Sequence, residues 1–284
     1  MEDFDLKIPV FCSKFAKKVE EKLVLTSESV YGAKYLGEKM WNPKAGFIAS
    51  VDLATKEVSE MEGTLSWLAK ESQQNGWIYN LKPFTIYHVK CRKTLADLDT
   101  GESLRWTNEY MLVDVVERDL HHAGLEQILE GYKEPVEIVE SFGRFSLERR
   151  FDWFSGHVNW LGRKGIVSLE CDEQKVYTVC KALEIFREIY ANLEEWDKGF
   201  RRFAAEQLTE LACAWDELDD FYDKKNKDSI TKDSFARRIF FDELQIHPDG
   251  SYIAYYDDDS MFFGHIIIIK GHIKDGMESA NIVK

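Results

Sequence analysis

Residues 142–171, FGRFSLERRFDWFSGHVNWLGRKGIVSLEC, carry the reading that decides the fold. Aromatic and β-branched residues recur in three short runs, Phe142 to Leu147, Phe151 to Leu161 and Gly165 to Cys171, with Gly162-Arg163-Lys164 as a turn before the last. The pattern predicts a three-stranded meander. Its middle run, Phe151-Asp152-Trp153-Phe154 through Trp160, has the composition of a platform for stacking sugars or bases, but aromatics at this density in a strand are expected to be core.

Downstream, Val176, Val179, Leu183, Phe186 and Tyr190 predict one amphipathic helix. Trp196, Phe200, Phe203, Leu208, Leu211, Trp215 and Leu218 predict a second, whose apolar stripe should cover a sheet face. A short helix begun by Thr231 or Asp233 is followed by a hairpin, Phe240 to His247 and Ser251 to Tyr256, turning at Pro248-Asp249-Gly250. Phe262 to Lys270 reads as a further strand, and the unalternating run Ile266-Ile267-Ile268-Ile269 suits a central strand covered on both faces. Runs of strands around a block of helices specify an α+β fold, not a doubly wound parallel sheet.

Upstream, Gly131-Tyr132-Lys133-Glu134-Pro135 pairs a helix-stop glycine with a proline, and the sequence character changes across it. Two domains are expected: a small α+β domain over 1–137, and over 138–284 an α+β domain with a mainly antiparallel sheet covered by helices. In the first, Gly46 to Leu53, Phe84 to Arg92 and Asn108 to Val116 read as strands. Thr64 to Ser72 reads as a short helix, and Asp119 as the cap of another carrying Leu125, Ile128 and Leu129.

With 284 residues, 44% hydrophobic and 31% charged, the composition is that of a globular protein. The acidic opening Met1-Glu2-Asp3-Phe4-Asp5 is unlike a secretory signal, and no 18-residue apolar run is present, so a cytoplasmic protein without membrane contact is expected. Five cysteines, Cys12, Cys91, Cys171, Cys180 and Cys213, lack paired spacing and fit a reducing compartment. A formal net charge of −14 disfavours nucleic acid as a partner and favours a basic protein. The dipeptides Arg149-Arg150, Arg201-Arg202 and Arg237-Arg238 read as solvated charge, and Asp216-Glu217-Leu218-Asp219-Asp220 as a solvated helix end.

Phosphate-loop, dinucleotide, zincin and nucleophile-elbow motifs are all missing from the sequence, and no cofactor is implied. One constellation remains near the C-terminus. Asp257, Asp258 and Asp259 occupy a turn, His265 follows Gly264, and His247 with Asp249 closes the preceding hairpin. Asp257, Asp258 and His265 are the catalytic candidates, and His247, Asp258 and His265 the metal candidates. Hard oxygen ligands with imidazole would suit manganese or magnesium and a metal-assisted hydrolase. The alternative is that the aspartates reverse the chain and His265 bonds a neighbouring strand.

Phe142-Gly143-Arg144-Phe145-Ser146-Leu147, Phe154-Ser155-Gly156, Asn159-Trp160-Leu161-Gly162 and Phe262-Phe263-Gly264-His265-Ile266 together resemble a bacterial family, the domain of unknown function 2262. The resemblance covers the C-terminal half, and the N-terminal piece is similar to an extension that accompanies it. The family's Asp-Gly-Asp-Leu-Phe-Trp-Gly-His-like stretch maps onto Asp258 to His265, with Asp259 in place of glycine, Ser260 in place of an acid and Phe263 in place of tryptophan. A serine cannot supply that acid's charge, which counts against chemistry at this position. The combined expectation is a non-catalytic cytoplasmic binding or regulatory protein, of the kind that masks a basic toxin as its immunity partner.

Overall fold

The computed structural model describes residues 7–27, 29–34, 40–70, 77–96, 107–172, 178–219 and 230–283. The chain divides into two compact units, residues 1–134 and 135–284.

The first unit opens with helix α1 (Lys7–Cys12), followed by strands β1 (Glu20–Thr26), β2 (Tyr31–Ala33), β3 (Asn42–Asp52), β4 (Val58–Ser59), β5 (Gly63–Ser66), β6 (Ile86–Lys93) and β7 (Glu109–Glu117), then helix α2 (Ala123–Lys133). Strand β1 pairs with both β3 and β6, β3 with β5, β5 with β7 in parallel, and β7 with β6. Five strands therefore close on themselves. This order, with its single parallel pair, is the connectivity of the five-stranded Greek-key barrel of the OB type. Phe47, Leu65, Val89, Cys91 and Leu112 belong to one buried cluster, while Leu25, Ile48, Val51 and Ile86 belong to another with Leu125 of α2. Strands β1, β3 and β6 so contribute to two apolar surfaces, which is why β3 is buried almost throughout.

Two expectations are corrected here. The segment from Thr64 is strand β5, fully buried between two partners, because closing the barrel overrides its helical spacing. The cap of α2 is His122, whose ring nitrogen accepts the Leu125 N–H at 3.3 Å, while Asp119 sits at φ 53 in the preceding turn.

The second unit is a single eight-stranded sheet in the order β15-β14-β13-β12-β11-β10-β9-β8. Its strands are β8 (Glu137–Glu140), β9 (Gly143–Glu148), β10 (Trp153–Trp160), β11 (Arg163–Glu170), β12 (Phe240–Ile246), β13 (Ser251–Asp257), β14 (Ile266–His272) and β15 (Gly276–Val283). Between β11 and β12 run helices α3 (Cys180–Ala191), α4 (Leu193–Asp219) and α5 (Lys232–Arg238). The central pair β11–β12 is parallel and every other pair antiparallel. The predicted meander is present, and Thr231 caps α5 with a reciprocal bond to Ser234.

Alternation assigns one sheet face to the helices. Phe145, Phe154, Val158, Trp160, Val167, Leu244, Tyr252, Tyr256, Ile267 and Ile269 form one buried cluster with Phe186, Phe200 and Leu208 of the helices. Trp160 stacks on Phe241 with centroids 3.6 Å apart. Gly165 makes room for that stack, since a Cβ there would lie 2.3 Å from the Phe241 ring.

Corrections apply here also. The isoleucine run alternates after all, with Ile267 and Ile269 buried, Ile266 37% exposed and Ile268 half-buried, because β14 lies one strand from the edge and helices cover one face. Phe151 precedes β10 and is exposed instead of core. Arg201 is not solvated: its side chain is largely buried against Asp197. Val176 and the Asp220 end of the acidic run lie outside the described residues. Cys12, Cys91, Cys180 and Cys213 are free thiols, and among the described residues no helix is long and apolar enough to cross a membrane.

Candidate functional site

Strand β13 ends at Asp257, and the chain reverses over residues 258–265 before β14. Asp258 organises this reversal from within, being only 2% exposed. Its carboxylate accepts the backbone N–H groups of Ser260 at 3.0 Å, Phe262 at 2.6 Å and Gly264 at 3.2 Å. A short carboxylate side chain bonding backbone two and four residues on is the local chemistry that makes aspartate a turn former. Asp257 accepts the Asp259 N–H at 2.8 Å. Arg238, at the end of α5, grips Asp259 through both its carboxylate and its carbonyl.

Four residues of the turn, Asp259, Ser260, Phe263 and Gly264, have positive φ, and only one of them is glycine. Left-handed backbone at side-chain-bearing residues costs free energy that surrounding structure must hold in place. Asp259 thus occupies a conformation that the family's expected glycine would adopt without strain. The strained tip presents Phe263, 58% exposed, beside Trp215 of α4 with ring centroids 5.5 Å apart, while its neighbour Phe262 is fully buried. His265 lies edge-on to Trp215, and its Nδ1 donates to the Phe262 carbonyl at 2.5 Å.

The constellation read from the sequence is thereby divided. Asp257, Asp258, Asp259 and His265 gather at one end of β13; His247 and Asp249 lie in the hairpin at its other end, on the order of 20 Å away along a seven-residue strand. His247 pairs with Glu170 at 2.6 Å, and that hydrogen bond, opposed by partial burial, raises its pKa above the ordinary histidine value. Asp249 accepts from both the N–H and the hydroxyl of Ser251, bonds that hold its carboxyl below the usual range. Among the described residues no three His, Cys, Asp or Glu side chains converge as ligands for a metal ion.

Two polar arrangements escaped sequence reasoning. Asp197 of α4, 6% exposed, accepts from Trp160 Nε1 and Tyr256 Oη, each at 2.9 Å, and pairs with Arg201 at 2.6 Å. Arg201 in turn donates to the Ile239 carbonyl. Burial and the Asp197 charge push the Tyr256 phenol far above its usual range. The available signal was an acid beside Trp196, inside an otherwise apolar stripe. On the sheet face away from the helices, Ser155, Ser168, Glu243, Gln245 and Tyr255 form a chain of side-chain hydrogen bonds across β10 to β13.

Beside the turn, Asp242 sits at a bulge in β12. Partial burial, then repulsion from Glu243 and Asp257, raises its pKa. The ends of β12 and β13 therefore hold carboxylates that repel one another.

Comparison with protein families bears directly on this unit. The profile described as an uncharacterized protein conserved in bacteria (DUF2262) matches residues 139–282, half of the chain, and spans the whole turn. The chain belongs to this family. Residues 8–132 of this DUF2262 protein match a second domain of unknown function, DUF7021, which covers the barrel unit. A comparison with curated proteins gives no match.

Proposed function

We propose that this DUF2262 protein is a non-catalytic cytoplasmic binding protein that masks a basic protein partner, in the manner of an immunity protein, through the turn between β13 and β14. The observation that carries this reading is Phe263: an aromatic ring 58% exposed on a strained turn whose backbone is held by a buried carboxylate. Strain fixed at an exposed aromatic is a cost that folding alone does not require, and aromatics are the side chains that anchor protein interfaces.

Charge supports the choice of partner. Asp257 is exposed at the end of β13, and Asp242, whose pKa is raised first by burial and then by repulsion from Glu243 and Asp257, adds a carboxylate on the neighbouring strand. A lysine or arginine from a partner would relieve that repulsion and rest on the Phe263–Trp215 pair. The formal charge of −14 would steer such a partner from a distance. Cysteines scattered without paired spacing support a reducing compartment.

The test is affinity capture from cell extract at low and high salt with the native protein, Phe263→Ser and Asp257→Asn. A stoichiometric basic protein retained at low salt, released at high salt and lost from Phe263→Ser that melts like the native protein is the expected result. No basic partner at low salt, or equal capture by Phe263→Ser, would refute the proposal.

A further inference from the structure

The first unit contains a feature of opposite sign. A groove of about 720 Å³ lies where the segment after α1 crosses the end of β6, lined by Cys12, Phe15, Lys17, Lys18, Arg92 and Leu95 among others. Its frame is pinned by backbone bonds, Ala16 N–H to the Lys93 carbonyl and Leu95 N–H to the Lys14 carbonyl, each 2.8 Å. Phe15, 3% exposed, anchors that frame in the interior.

Among the described residues the lining holds three cations and no carboxylate, in a chain with fourteen more acidic than basic residues. Lys17 and Lys18 are exposed, whereas Arg92 is half-buried, and its Nε is shut off from solvent with no hydrogen-bond partner among the described residues. A guanidinium N–H inside a fold is normally satisfied by an acceptor, and Arg92, whose Nε the fold leaves unsatisfied, keeps its charge uncompensated at the groove. Screening confines the opposing charge of the rest of the molecule to a Debye length of about 10 Å, so a local site of this kind can operate on an acidic protein.

We propose that this groove binds a phosphorylated small molecule carrying at least two phosphate charges, with Arg92 forking onto one phosphate and Lys17 and Lys18 neutralising the next. The volume matches a ligand of that size, and Phe15 and Leu95 give its uncharged part an apolar wall. This site is independent of the turn in the second unit.

The probes are inorganic pyrophosphate and a single-stranded oligonucleotide, titrated calorimetrically into the full chain at about 50 mM salt. Saturable binding of one pyrophosphate per chain is expected, weakened about tenfold or more by Arg92→Met and by the double variant Lys17→Gln, Lys18→Gln. Melting curves accompany each variant; should Arg92→Met unfold, the exposed lysine pair decides. Absence of saturable pyrophosphate binding, equal affinity in a folded variant, or binding of the oligonucleotide alone would each overturn the assignment.

Discussion

Tyr256 and Asp197, 59 positions apart in sequence, share a 2.9 Å hydrogen bond inside the second unit and join strand β13 to helix α4. Asp197 also holds Trp160 and Arg201, so one carboxylate connects two strands, a helix and, through Arg201, the end of α5. Removing it would leave a largely buried guanidinium and two buried donors unmatched. Asp197→Ala should lower stability by about 3–5 kcal/mol, whereas Tyr256→Phe should cost about 1–2 kcal/mol. Urea denaturation of both variants and their double measures this, and strict additivity would contradict a shared network.

Asp258→Ala deprives three backbone N–H groups of their acceptor. A loss of about 1–3 kcal/mol is expected, with proteolysis or hydrogen exchange increasing first at residues 258–265. Elemental analysis of protein purified without chelator should give the same metal content before and after the substitution. A stoichiometric ion lost with Asp258 would instead make it a ligand.

His247 predicts a pH effect. Its pKa is raised in the folded state, chiefly by the hydrogen bond to Glu170. The pair's stabilisation is therefore complete below the unfolded histidine value near 6.5 and disappears as pH rises through the higher folded value. Because the Glu170 side chain is 38% exposed, the contribution should stay under about 1 kcal/mol. Glu170→Gln should accordingly be less stable than the native protein at pH 5.5 and indistinguishable from it at pH 9, with the His247 NMR titration midpoint shifted downward.

Gly165→Ala places a methyl group 2.3 Å from the Phe241 ring. The Trp160–Phe241 stack must open, at a cost of about 1–3 kcal/mol. Thermal melting together with the near-ultraviolet dichroism of the tryptophans would register both effects; an unchanged spectrum would mean that the ring has room to move.

Local patterns made much of the second unit legible. The meander over 142–171, the helix stripes and the hairpin at Pro248-Asp249-Gly250 declare themselves because alternation, helical spacing and turn chemistry agree there. The barrel was not legible, since closure depends on pairing Lys22 with both Asp52 and Val89, contacts that no local window contains. The same reason hid the burial of Thr64 and the alternation of Ile266 to Ile269. At the turn, the sequence located the residues but not their directions: Asp258 faces inward to the backbone and Phe263 outward. Spacing likewise placed His247 near Asp258 in the chain, although a whole strand separates them.

The two halves of the eight-stranded sheet meet only at the parallel pair of β11 with β12, where Ser168 bonds Glu243 from 75 residues away. At a synthesis rate of roughly 5–20 residues per second, β12 leaves the ribosome about 4–15 seconds after β11. During that interval the nascent meander has an unpaired edge and lacks the half-sheet that completes it. Early folding of this protein should therefore depend on chaperones that shield the β11 edge, and slowing translation between the two strands should lower its soluble yield.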